Sequence, residues 1–188
     1  MTILLYIFII ILIIAIVFLL GPRVKLDQTL RSIDLPDDLD QYLHEAEAQV
    51  PHLRPGTEKK IIWANEAQKA KTPVSVVYLH GYSASRKETY PLSDEIAQSL
   101  GANLFYTRLS GHGQNGQALA DATVNDWLND TVEAFEIGRR LGERVLIIGT
   151  STGATLATWL VAQSFSREIL ATILISPNFG VRAANSNL

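Results

Sequence analysis

Cysteine is absent from all 188 residues, which excludes disulfides, thiolate nucleophiles and sulfur-ligated metals. The redox compartment is left open. Excess positive charge is missing too: 16 Lys and Arg against 19 Asp and Glu give a net charge of -3, with no basic run. Phosphate backbones need a basic footprint, so no nucleic-acid partner is expected. Histidine is sparse, with His44, His52, His80 and His112 the only copies. No carboxylate or second histidine is spaced to join His112, so no metal site is expected. Internal repeats and low-complexity tracts are lacking, and the length suits one domain with a sizeable core.

What is present begins with ILLYIFIIILIIAIVFLL, Ile3–Leu20, which has no charge and, apart from Tyr6, no strong hydrogen-bonding side chain. At 1.5 Å of rise per residue it covers most of a hydrocarbon core of about 30 Å. A cleaved signal peptide competes with this reading. However, no Lys or Arg precedes the run, the run is long for such a peptide, and no A-x-A site follows it. An uncleaved transmembrane anchor over residues 1–22 is expected. Arg23, Lys25 and Arg31 all lie on its C-terminal side, which leans the body towards the cytoplasm, with an extracytoplasmic body the alternative.

Residues 23–56 read as a polar tether followed by an amphipathic helix, in which Leu39, Tyr42, Leu43, Ala46 and Val50 recur at helical spacing before Pro51. Residues 57–188 then alternate between strands and helices. Strands are expected at 60–64, 74–79, 103–107, 144–149 and 168–175. Helices are expected from Ser85 to Ser99, where Ser85 and Glu88 have capping-box spacing, from Thr123 to near Gly142, and from Thr152 to near Phe165. Such alternation implies an α/β fold, a mostly parallel sheet covered by helices on both faces.

Three segments after these strands carry chemistry. Gly149-Thr150-Ser151-Thr152-Gly153 matches G-x-S-x-G between a strand and a helix, the context that gives the motif meaning. Its glycines permit a sharp turn that would expose the Ser151 hydroxyl, with the Thr152 N–H at a helix start placed for an oxyanion. Read without chemistry, it is a small-residue turn that packs a helix on a strand. Ser151 holds the place of the second glycine of a dinucleotide fingerprint there. His80-Gly81-Tyr82 follows an earlier strand and offers the Tyr82 N–H as a second oxyanion donor, with His80 suited to a structural hydrogen bond that holds the loop. Gly111-His112-Gly113 follows the next strand, and His112 reads as a solvent-exposed loop histidine.

In this order, HG plus an aromatic, then GHG, then G-x-S-x-G, the chain resembles an α/β-hydrolase, in particular the branch with monoacylglycerol lipases, lysophospholipases and serine aminopeptidase-like hydrolases. The resemblance covers roughly residues 60–175 and implies a serine esterase, lipase or amidase. Ser151 would be the nucleophile, the Tyr82 and Thr152 amides the oxyanion hole, and a small acyl ester or lipid-derived ester the substrate, with no cofactor. The family places an acid and a histidine after the serine, yet no histidine or aspartate follows Ser151, and Glu168 is the sole acid there. The chain is therefore expected to be the N-terminal part of a longer hydrolase, its sheet C-terminally incomplete and the 188 residues inactive or nearly so as they stand. The competing expectation is a non-catalytic hydrolase-like binding protein at the membrane.

Overall fold

A computed structural model describes residues 2–21 and 27–180. Thr2–Leu20 forms α1, an apolar helix whose segment Ile3–Leu20 has a mean hydropathy of 3.6 and no buried residue. By length and composition it can cross a membrane. Arg23 and Lys25, which carry most of the orientation argument, lie outside the described residues.

The rest is one sheet with helices on either side. Its elements are α2 (Leu39–Ala48), β1 (Lys60–Ile62), β2 (Thr72–Leu79), α3 (Leu92–Leu100), β3 (Asn103–Tyr106), α4 (Gly116–Asp121), α5 (Val124–Leu141), β4 (Gly142–Thr150), α6 (Thr152–Val161) and β5 (Ile169–Ile175). The strand order is β1-β3-β2-β4-β5, parallel throughout except for the antiparallel β1–β3 pair. The expected mostly parallel sheet is present.

Period-two alternation sorts the apolar side chains. Val77, Leu79, Phe105, Val145 and Ile147 pack with Leu43 of α2, Phe135 of α5 and Leu160 of α6 on one face. Val76, Tyr78, Leu104, Tyr106 and Ile148 meet Ala97 of α3 on the other. Full burial of each large apolar side chain contributes about 1.5–3 kcal/mol, and the three central strands supply about half of those buried, the helices packed on them most of the rest. Helix α5 sits unusually close to the sheet: a Cβ on Gly138 would lie 2.7 Å from Val77 Cγ2, and the Gly138 carbonyl accepts from Ser75 Oγ at 2.7 Å. Side chains of β5 are exposed or half-buried along its whole length.

Two expectations fail here. No helix begins at Ser85: residues 86–91 are turns, and α3 starts at Leu92 after Pro91, without a side-chain cap. The polar stretch read as a tether is, from Asp27 onward, a strap bound along α5. Asn129 accepts from Arg31 N at 2.8 Å and donates to Thr29 O, while the Arg140 guanidinium binds the carbonyls of Leu35 and Pro36. Leu30, Ile33 and Leu35 add apolar contact with the core. The strap has no helical or alternating pattern because its bonds run through its backbone, which side-chain periodicity does not record.

Candidate active site

Two strands end side by side, with Leu79 of β2 opposite Gly149 of β4, and the loops beyond them converge. On the β4 side the chain reverses at Ser151, whose φ of 50° and ψ of -112° lie outside the regions an L-residue ordinarily occupies. Such a conformation costs on the order of 1–3 kcal/mol and persists only where its surroundings impose it. The surroundings here are steric. A Cβ on Gly153 would fall on the Leu79 carbonyl, and one on Gly149 would lie 2.6 Å from the Gly153 oxygen. The Ser151 N–H donates to Ile175 O at 2.9 Å and its carbonyl accepts from Thr155 N, so the main chain is tied at both ends while the half-buried side chain caps nothing. Thr152 opens α6, where the first amides have no carbonyl one turn earlier to bond.

On the β2 side, His80, Gly81 and Tyr82 turn against this serine: a Cβ on Gly81 would lie 3.3 Å from Ser151 Cβ. His80 is fully buried. Its Nε2 accepts from Leu109 N at 3.1 Å, which leaves Nδ1 protonated and facing Gly81 O at 2.9 Å. Burial pushes its pKa down to about 4, so the neutral ring persists at physiological pH. The hydrogen bond expected to hold the loop is present.

His112 is not the exposed loop histidine expected from its glycine neighbours. It is 2% exposed, its Nε2 accepts from Ser83 N at 3.1 Å, and its Nδ1 faces Ser110 O. The two imidazoles thus pair reciprocally, each taking an amide N–H from the other's loop, with ring centroids 4.8 Å apart. Burial lowers the His112 pKa as well. Gly111 and Gly113 flank it at φ values near 77° and 76°, and a side chain on either would collide with Ala118 or Thr57. GHGQNG, residues 111–116, also spells G-x-G-x-x-G, but these contacts make it a packing turn ahead of the six-residue α4.

Behind the GHG turn lies a buried ionic brace. Arg108 holds Glu47 bidentately at 2.8 Å for both bonds, Lys59 pairs with Glu133, and Asp130 accepts from Ser110 N at 2.6 Å. Desolvation raises the Asp130 carboxyl to about 6. Trp127 Nε1 donates to Ser110 O at 3.0 Å and its ring stands edge-on to Tyr82, which is 59% exposed. Among the described residues no cluster of His, Asp or Glu could hold a metal. A groove of about 560 Å³ lined by Asp40, His44, Glu47, Lys59 and Trp63 contains none of the candidate site residues in the three motif segments.

Sequence reasoning missed Glu88 and Tyr78. Glu88, assigned above to a helix cap, turns its Oε2 back to the Gly81 N–H at 2.8 Å and to Tyr78 Oη at 3.1 Å, and Tyr78 Oη also meets Thr150 Oγ1 at 3.1 Å. Burial pushes the Tyr78 phenol up to about 12. No sequence signal could have shown this, because a carboxylate seven residues beyond a turn has no pattern. Glu168, the lone acid after Ser151, is engaged by Arg139 at 3.0 Å and precedes β5 at the end of the sheet far from this turn.

Known proteins share this architecture. The structure of the metagenome-derived lipolytic enzymes LipS and LipT superposes with a TM-score of 0.61 at 22% identity, covering 71% of this chain and 51% of that one. Est1E from Butyrivibrio proteoclasticus, with ferulic acid bound, gives 0.51 at 19% identity over 64% and 48%. Likenesses at such identities establish the fold, and the chain spans about half the length of each. No curated protein matches in sequence. The model of the alpha/beta hydrolase family matches residues 76–188, from the middle of β2 through the strained turn and beyond. On that match, and with strand order and loop placement in agreement, the chain belongs to the alpha/beta hydrolase family.

Proposed function

We propose that Ser151 is the nucleophile of a serine esterase or lipase-like hydrolase held at a membrane by α1, with its body on the cytoplasmic side. The observation that carries this reading is the meeting of a strained serine at the head of α6 with the Gly81–Tyr82 turn, and it supports the Tyr82 and Thr152 amides as the oxyanion donors. Such amides are worth most at the oxygen that becomes negative in the transition state. Ser151 Oγ attacks the acyl carbonyl, its proton passes to a base and then to the departing alcohol, and water releases the acid from the acyl-enzyme.

The base is neither His80 nor His112, because both rings are spent on loop amides. In this fold the acid and histidine come from loops that follow the serine, and the chain spans about half the length of these structural relatives. Substrates are acyl esters, lipid-derived ones included, as the monoacylglycerol lipase and lysophospholipase branch would imply, and no cofactor takes part.

The experiment is labelling of the full-length protein in its native membranes with a fluorophosphonate, against a Ser151→Ala control. Labelling confined to the wild type is expected. Equal labelling of both, or of neither, sinks the proposal.

A further inference from the structure

Amide donors stabilise an oxyanion only if their N–H vectors are fixed before the reaction, so whatever holds the two peptide planes around Gly81 sets the worth of the Tyr82 donor. The Gly81–Tyr82 plane is fixed through its oxygen, which faces protonated Nδ1 of His80 at 2.9 Å and accepts from Ala84 N at 3.2 Å. In a trans peptide the N–H points opposite to the C=O, so this bond turns the Tyr82 N–H away from the buried imidazole. The preceding His80–Gly81 plane is fixed, among the described residues, through its N–H, whose acceptor is Glu88 Oε2 at 2.8 Å. Glu88 stands at the surface, yet this oxygen is shared with Tyr78 Oη, which in turn reaches Thr150, the residue before Ser151. One chain of hydrogen bonds therefore joins the oxyanion turn to the serine turn.

We propose that Glu88 is a positioning residue of the hydrolase reaction: its carboxylate aims the Tyr82 amide and locks it in register with Ser151 through Tyr78 and Thr150. Glu88 needs no contact with substrate for this, and its loss acts on the transition state rather than on substrate binding. The inference rests on the serine hydrolase reading above.

The test uses the full-length protein in detergent, a chromogenic short-chain ester, and an alkyl boronic acid whose adduct with serine is tetrahedral. Glu88→Ala should lower kcat and weaken boronate binding by about 10- to 100-fold with KM little changed, since removal of a whole oxyanion donor costs about 100- to 1,000-fold. Glu88→Gln, which keeps an acceptor oxygen, should recover most of the loss. A folded Glu88→Ala with wild-type kcat and boronate affinity overturns the inference, as does an equal loss in KM. Should Glu88→Ala not fold, Glu88→Asp keeps the charge but shortens the reach, and wild-type kcat in that variant is equally fatal. A wild type that neither hydrolyses the ester nor binds boronate refutes the underlying hydrolase reading instead, so the two failures are distinguishable.

Discussion

The two halves of the site are held by different physics. On the β4 side, Gly149, Ser151 and Gly153 are fixed by space: any side chain on either glycine strikes main chain, and Ser151 is strained with no side-chain bond to compensate. On the β2 side, the turn through Gly81 is fixed by hydrogen bonds to side chains: His80 Nδ1 faces the Gly81 carbonyl, Glu88 accepts from the Gly81 N–H and, across the loops, His112 accepts from the Ser83 N–H. A sterically held turn tolerates few sequences and stays put at any pH. A turn held by side-chain bonds depends on the protonation of its partners, and on residues that any stretch of chain could supply.

The contrast is broken most violently at Gly153. Gly153→Val would force β2 and α6 apart at the Leu79 and His80 carbonyls, and overpacking against main chain has no flexible neighbour to yield. A loss of more than about 3 kcal/mol, or no soluble protein, is expected from urea unfolding. A variant within about 1 kcal/mol of wild type would show that the serine side is not sterically fixed.

Acid should act on the other half. The folded-state pKa of His80 is depressed from 6.5 to about 4, and that of His112 is depressed as well, so between those values the unfolded chain binds more protons. Stability is then lost as pH falls from about 6.5 towards 4, by up to about 3 kcal/mol from His80. Asp130 opposes this. Its carboxyl is raised from 3.8 to about 6, so the folded state takes up the extra proton and gains relative stability over much of the same window as pH falls. Asp130→Asn should therefore steepen the acid loss measured by urea titration at successive pH values. An unchanged or shallower slope would mean that the buried carboxyl does not titrate as its desolvation implies.

Strain in the serine turn should be recoverable without touching the β2 side. Ser151→Gly removes the Cβ that makes φ of 50° and ψ of -112° costly, and should raise stability by about 1 kcal/mol while abolishing phosphonate labelling. Greater stability with lost function is the signature of a site that stores strain. A destabilised Ser151→Gly would place the constraint in the hydroxyl rather than in the backbone.

How much was legible in the sequence follows the same division. The buried strands around Val76, Phe105 and Ile147 announce themselves as apolar runs, and the G-x-S-x-G turn is visible because only glycine fits at 149 and 153. The hydrogen-bonded half was not legible. Ser85 and Glu88 have the spacing of a helix cap, but Glu88 is drawn instead to an amide left unpaired where β2 ends. His112, between two glycines, looks exposed until Ser83 N from another loop closes over it. The strap at 27–37 is read by Asn125, Asn129 and Arg140 through its carbonyls and amides, which every sequence possesses.

The smallest effect is the one that tests whether the halves communicate. Tyr78 Oη touches both Glu88 of the turn and Thr150 of the serine strand, and the Tyr78 side chain is fully buried. Tyr78→Phe removes only that oxygen, so the unfolding free energy should fall by about 1 kcal/mol, the net value of a hydrogen bond, without a cavity. If Tyr78 acts by passing register between the turns, its effect on kcat must depend on Glu88: a few-fold loss in the wild-type background should vanish once Glu88 is alanine. Additive losses would instead mean that each side chain supports its own turn separately, and the steric and hydrogen-bonded halves would then be neighbours rather than one device.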